Sequence, residues 1–237
     1  MRPGAKPRHR PFRPVRDAGD MRAHASDFAE QPYPGERPGG SYVLDRDGSV
    51  LSLAPDGDCA SGWRVRGAGC LDEWLVERGA PTLRQRVAVL SYGSNASPSK
   101  VLRNATRLPA INLRADVVGL AAVWCSGPRH LDGAIPATLT PWPDHREAHV
   151  LSYVLPEDLH ALDSVEGHPL RYERRRLERG SVVREDGLEP DDALAYVGVS
   201  DNRVPVLDES GRPVLVSDGS SLAEAQARAQ LLVKEQG

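Results

Sequence analysis

Apolar and polar positions are unevenly organised along the chain. Residues 1 to about 40 show neither the period of 2 that marks a strand nor the period of 3.6 that marks a helix. Pro3, Pro7, Pro11 and Pro14 forbid continuous helix or ladder pairing there. The pattern predicts a disordered, basic, proline-rich N-terminal extension over 1–40, with a second methionine, Met21, as an alternative start. Residues 41–85 read as a small annex. Tyr42-Val43-Leu44 and Val50-Leu51-Ser52-Leu53 flank Asp45-Arg46-Asp47-Gly48, a hairpin signal because Asp-Gly accepts positive φ. A short amphipathic helix follows at Leu71–Val76, stopped by Gly79 and Pro81. About forty residues bury little by themselves, so Trp63 and Trp74 are expected to pack the annex on a larger body.

From Val87 the patterning becomes dense, which sets a third region at 86–237. Val87–Ser91 reads as a short apolar strand running into Tyr92-Gly93-Ser94-Asn95. Ser97 as N-cap and Pro98 at the first helical position then open a helix to about Asn104. Strands are predicted at Val117–Trp124, Pro136–Leu139, His149–Leu155, Arg171–Leu177 and Ala193–Val199. One helix starts at Pro156, carries Leu159 and Leu162 and ends at Gly167. Another spans Ser220–Lys234, capped by Ser220 or Ser221. Strands outnumber helices and do not alternate with them. The fold class expected is therefore α+β, a small mixed β-barrel closed round a pocket with flanking helices, not a doubly wound sheet.

Composition narrows the function. The chain has 237 residues and a formal net charge of −3. It contains no apolar run of the roughly 20 residues that span a bilayer, so no membrane partner is expected. Near-neutral charge argues against a nucleic-acid partner. Residues 1–16 hold six Lys and Arg and no acid, but a solvated extension explains them. That segment has no apolar core of a secretory signal. Three cysteines, Cys59, Cys70 and Cys125, form an odd set with no CxxC pair. This disfavours a disulfide framework and a thiolate metal site, and points to a reducing cytoplasm. Arg, Ala, Gly and Pro are abundant and Lys and Phe scarce, a usage resembling GC-rich bacterial coding. The pattern sets no oligomeric state.

Two features carry candidate chemistry. The turn Tyr92–Asn95 presents successive main-chain N–H groups just before a helix start, where a carboxylate or developing oxyanion is a natural guest. Gly93 lets a ligand approach the backbone. The turn lacks the signatures of a P-loop, a dinucleotide fingerprint or a nucleophile elbow. Glu166 stands in the last turn of its helix, where the helix dipole disfavours a carboxylate. Such misplacement is a pointer to function.

Taken together, the order strand–Tyr92-Gly93-Ser94-Asn95–helix, then Pro136-Ala-Thr-Leu139, then Leu162-Asp163-Ser164-Val165-Glu166-Gly167, then Tyr172-x-Arg174 resembles the γ-glutamylcyclotransferase family. The match runs from Val87 to about Val199, roughly half the chain. The loop differs from the YGSL form of the glutathione-specific branch. The resemblance implies a barrel cavity holding one γ-glutamyl group, with Tyr92, Gly93, Ser94 and Asn95 gripping the substrate. It implies Glu166 as acid and base, and Tyr172 in the pocket wall. It implies no cofactor and no metal. The small-molecule partner would be a γ-glutamyl amide, cleaved by its own α-amine to 5-oxoproline and a free amine, and the amine of a γ-glutamyl-protected biosynthetic intermediate fits this chemistry. The alternative from another class is a non-catalytic module of the same fold that binds a small metabolite.

Other features are expected to be structural. Asp45-x-Asp47-Gly48 lacks the further acids of a calcium loop. His145 and His149 would pair as zinc ligands on a helix, but Pro141 and Pro143 precede them and strand alternation begins at His149. His168 reads as a loop residue, and the run Arg171, Arg174, Arg175, Arg176 and Arg179 as a solvated strand with one Arg free to meet an acidic substrate. Cys125 reads as a core residue rather than a nucleophile.

Overall fold

A computed structural model describes residues 22–104, 108–218 and 221–236. The N-terminal half contributes β1 (Arg22–His24), β2 (Tyr42–Leu44), β3 (Ser49–Pro55), β4 (Trp63–Val65), β5 (Gly69–Cys70) and α1 (Leu71–Glu77). Then come β6 (Val87–Ser91), α2 (Pro98–Asn104), β7 (Ala110–Trp124), β8 (Ala137–Val154) and α3 (Leu159–Glu166). The chain closes with β9 (Tyr172–Arg176), β10 (Val182–Arg184), β11 (Ala193–Gly198) and α4 (Leu222–Gln236).

All described strands join one sheet in the order β5-β4-β3-β2-β7-β8-β6-β11-β9, with β1 added to β3 and β10 to β7. β11 runs parallel to β6 and the other pairs are antiparallel. The sheet is mixed and strongly curled, a half-barrel with four helices. Its core is continuous. Trp63, Leu71 and Trp74 of the annex share one buried cluster with Leu90, Leu113, Trp124 and Leu151. The boundary drawn at 85 therefore falls inside one sheet and one core. Each fully buried Trp or Leu adds about 1.5–3 kcal/mol relative to exposure, which is what fastens so small an annex.

Four findings differ from the sequence reading. Residues 22–40 of the expected tail fold onto the sheet; residues 1–21 lie outside the described part. Ala25 and Phe28 are buried with Tyr42 and Leu44, and Tyr33 joins the main core. The Ser99 hydroxyl donates to the carbonyls of Ala25 and Phe28. These apolar residues are widely and irregularly spaced, so no period announces them.

Second, the strands expected at Pro136–Leu139 and His149–Leu155 are one long strand, β8. The prolines do not end the strand: Pro141 still stands opposite Leu120, and Pro143 falls among residues 142–145 that have no partner on β7. β6 begins pairing only at Val150, so neither proline removes a bond from a doubly paired stretch. β7 likewise starts earlier than Val117, at Ala110. Its register against β8 shifts between Val118 and Leu120, around Gly119 at φ +78°.

Third, Cys59 and Cys70 are joined by a disulfide. This overturns the expectation drawn from the cysteine count, which therefore gives no support to a reducing compartment. The β3–β4–β5 meander brings together two residues that are 11 apart in sequence, a closeness that spacing alone does not reveal. Among the described residues, no helix is long and apolar enough to cross a membrane.

Fourth, Ser97 precedes α2 as expected, but its buried hydroxyl has no hydrogen-bond partner among the described residues; its carbonyl accepts from Val101 N–H. At α4 the Ser221 hydroxyl accepts from Glu224 N–H at 3.2 Å, while Ser220 lies outside the described residues.

Candidate active site

β6 ends at Ser91 and the chain turns through Tyr92 and Gly93 into a single 3-10 turn, Ser94–Ala96, before α2. The first N–H groups of such a turn have no partner within it. Ala96 and Ser97 close it by donating to Gly93 and Ser94 carbonyls. The N–H groups of Ser94 and Asn95 donate to no acceptor among the described residues. Gly93 is required by space. A Cβ there would stand 2.4 Å from the Tyr33 hydroxyl oxygen.

Facing this turn is the end of α3. Gly167 terminates the helix in the left-handed region at φ +68°. Any Cβ at Gly167 would also strike the Arg171 side chain, at 2.2 Å from its Nε. Arg171 Nη2 donates to Val165 O at 2.9 Å, placing a cation at the helix's negative end. α3 is held to the sheet by Asp163, which accepts both Arg174 Nη1 and the Tyr196 hydroxyl, each within 2.9 Å. Leu159 and Leu162 pack with Val89, Tyr172 and Tyr196. The helix thus delivers Glu166, half-buried, to the turn: Asn95 Nδ2 donates to Glu166 Oε1 at 2.8 Å.

Burial raises the Glu166 carboxyl above its ordinary value, outweighing the Asn95 hydrogen bond and the charges of Arg171, Lys100 and Arg129. The group is near a donor and three cations yet still resists ionisation. Lys100 is drawn down from its ordinary value by burial and then by Arg103 and Arg129.

A cavity of about 500 Å³ opens between the turn and α3, within the range that holds small ligands. Tyr92, Gly93, Ser94, Asn95, Glu166 and Tyr172 all line it, so the structure brings the six sequence candidates to one place. Tyr172 commits its hydroxyl to Ala137 O at 3.1 Å, and the Tyr92 hydroxyl donates to Tyr196 O. Ser91, Ser152 and Asn112 form a hydrogen-bonded chain along another wall, with Ser91 Oγ 2.9 Å from Ser152 Oγ and Ser152 Oγ donating to Asn112 Oδ1 at 2.8 Å.

Among the wall residues that sequence reasoning missed are Tyr33, Lys100 and Arg129. Tyr33 comes from the segment read as tail, Lys100 from within the helix expected to about Asn104, and Arg129 from the stretch between the strands expected at Val117–Trp124 and Pro136–Leu139. The only signal for Tyr33 was an aromatic set between Pro32 and Pro34, a pre-shaped turn in an otherwise polar stretch. Of the arginine run, Arg171 lines the cavity, Arg174 is tied to Asp163, and Arg175 and Arg176 pair at the surface with Glu173 and Asp192. His168 Nδ1 accepts from Arg174 N–H at 3.1 Å, a structural tie. Cys125 is fully buried, and burial pushes its thiol up to about 12, against a nucleophilic role.

His145 and His149 lie on β8, not on a helix. They bracket Glu147, with His149 Nε2 2.8 Å from Oε1 and His145 Nε2 3.5 Å from Oε2. Glu147 Oε1 also accepts from Ala122 N–H at 2.5 Å, two residues past the register shift in β7. Among the described residues, no group of three or more His, Cys, Asp or Glu is arranged to hold a metal ion.

No family model matches the chain, and no curated protein does. The fold is similar to that of a solved gamma-glutamyl cyclotransferase, at 17% identity and a TM-score of 0.42 over 48% of this chain and 68% of the other. It is similar to YkqA from Bacillus subtilis at 14% identity and a TM-score of 0.39, covering 73% and 59% of the two chains. A yeast gamma glutamyl cyclotransferase specific to glutathione matches at 17% and 0.35, covering 50% and 71%. Each is a likeness of chain course at low identity and specifies no chemistry here.

Proposed function

We propose that the cavity cleaves a γ-glutamyl amide by intramolecular cyclisation, releasing 5-oxoproline and a free amine. The observation that carries this reading is Glu166, a half-buried carboxyl held above its ordinary value beside a turn whose Ser94 and Asn95 N–H groups meet no acceptor among the described residues. The substrate's α-amine attacks its own γ-carbonyl, the new C–N bond closes a five-membered ring, and the old amide C–N bond breaks. Attack within one molecule already has a high effective molarity, so the protein needs no nucleophile of its own. It must move protons. Glu166 as carboxylate accepts a proton from the substrate ammonium and, as acid, delivers it to the departing nitrogen. The second proton, shed by the ring nitrogen as the lactam forms, then passes to the Glu166 carboxylate or to the released amine, which leaves as ammonium. Such transfer contributes typically 10²–10⁴-fold. A raised pKa favours the delivery step, because the protonated form is easier to reach. The Ser94 and Asn95 N–H groups fit a carboxylate or oxyanion of the substrate.

A panel of γ-glutamyl amides with amino-acid, polyamine, ε-lysyl and larger amine leaving groups tests the reading by 5-oxoproline release. Release from at least one, lost in Glu166→Gln, is the expected result. Binding of γ-glutamyl compounds with no release from any would instead favour a non-catalytic binding module.

A further inference from the structure

We infer that Tyr33, supplied by the N-terminal segment, donates a hydrogen bond to an anionic or carbonyl oxygen of the γ-glutamyl group bound at Gly93. The inference rests on the proposed γ-glutamyl site and adds to it a residue from outside the stretch that carries the sequence resemblance.

Four observations support it. Tyr33 lines the cavity, is 5% exposed, and its hydroxyl lies so close over Gly93 that only a glycine fits. The hydroxyl accepts from Ala137 N–H at 3.1 Å, yet its own hydrogen has no acceptor among the described residues. Of the other tyrosines on the cavity wall, Tyr92, Tyr172 and Tyr196 donate theirs to protein oxygens, while the Tyr153 hydroxyl accepts from Arg184 on a different wall. A buried hydroxyl hydrogen ordinarily finds a partner, and the cavity is where one would come from. Burial holds the phenol above its ordinary value, so it stays a donor at neutral pH.

The position is also fixed in advance. Tyr33 N–H donates to Gln31 Oε1, Gln31 Nε2 to Asp132 Oδ2, and Asp132 pairs with Arg129, whose guanidinium lies 4.7 Å over the Tyr33 ring. Glu36 N–H to Ala29 O closes the base of the segment at 2.7 Å, and Glu30 pairs with Arg103 of α2. Nothing in this arrangement must reorganise for the hydroxyl to meet an oxygen, which is the condition under which a donor contributes most.

The test is Tyr33→Phe, checked for an intact melting transition. Two readouts apply: steady-state 5-oxoproline release from the best γ-glutamyl amide, and calorimetric affinity for 5-oxoproline. A loss of roughly 10- to 100-fold is expected, the scale of a hydrogen bond to a charged group. A fall in kcat at constant KM assigns the bond to the γ-carbonyl oxygen. A rise in KM with weakened 5-oxoproline binding assigns it to the carboxylate. Unchanged kinetics and unchanged affinity overturn the inference. Should Phe prevent folding, 3,5-difluorotyrosine at position 33 keeps the shape and the acceptor with a more acidic hydrogen; an altered affinity supports the bond and an unaltered one overturns it. A wild type that binds 5-oxoproline but releases none defeats the cyclotransferase reading alone, and the Tyr33→Phe affinity still decides this one. A wild type that neither binds nor releases it overturns both.

Discussion

Two half-buried carboxylates, Glu166 at the end of α3 and Glu147 on β8, behave in opposite ways. Burial alone would raise both. At Glu147 that rise is overcome by the neighbouring His149, by the hydrogen bonds of both imidazoles and by the Ala122 N–H, and the carboxyl is held well below the usual range. At Glu166 a single side-chain donor and more distant cations do not overcome it, and the carboxyl stays raised. The difference teaches how contacts decide whether a carboxylate in this fold keeps its charge or holds its proton more readily. A fully contacted carboxylate has a fixed charge and pins a bulge; an under-contacted one can exchange a proton at modest cost.

The largest expected effect separates the two directly. Glu166→Gln should lower kcat by about 10²–10⁴-fold or more. Its melting midpoint at neutral pH should match or exceed wild type, because the raised pKa makes the ionised form a burden on the fold. That burden is absent below the ordinary carboxylate value and grows as pH rises through the raised one. A Gln variant that keeps full 5-oxoproline release would break the comparison.

Glu147→Ala should do the reverse, costing about 3–5 kcal/mol of stability by stranding its buried partners. Glu147 stabilises the fold above its unfolded-state value, and that contribution disappears as pH falls through its depressed one. Denaturant unfolding of wild type and variant against pH should therefore converge only on the acid side. A constant gap down to low pH would mean the two carboxylates differ less than described.

Gly93→Ala tests the wall between the N-terminal segment and the turn. Its Cβ would overpack the Tyr33 hydroxyl, at a cost of about 1–3 kcal/mol. With the oxygen removed the nearest atom is Tyr33 Cζ at 3.4 Å, so the double variant with Tyr33→Phe should regain most of that loss. Additive losses in the double-mutant cycle would show that the contact is not the reason for glycine.

The smallest effect sharpens the electrostatics. Asn95→Ala removes the hydrogen bond that lowers Glu166, and the acid limb of the kcat/KM profile should move to higher pH. No movement would mean that Asn95 holds substrate and not the carboxylate.

Much of this was legible in the residues. The strand–turn–helix at Val87–Asn104, the Asp-Gly hairpin and the Gly167 stop are local events written in short-range chemistry, and the structure forms them where they were expected. The misplacement of Glu166 at a helix end could also be read, since the dipole rule needs no tertiary contact. Tyr33, the Cys59–Cys70 bond and the continuity of β8 through two prolines could not. Each depends on what lies across from it, not beside it.

The division has one physical cause. Sequence determines what a residue prefers within a turn or two of its own chain: period, cap, punctuation and the kinds of atoms offered. It therefore placed the strand, the turn and the carboxylate. Only the curl of the sheet decided which side chains meet, how little water reaches Glu166 and how many donors surround Glu147, because burial and pairing are properties of the assembled surfaces.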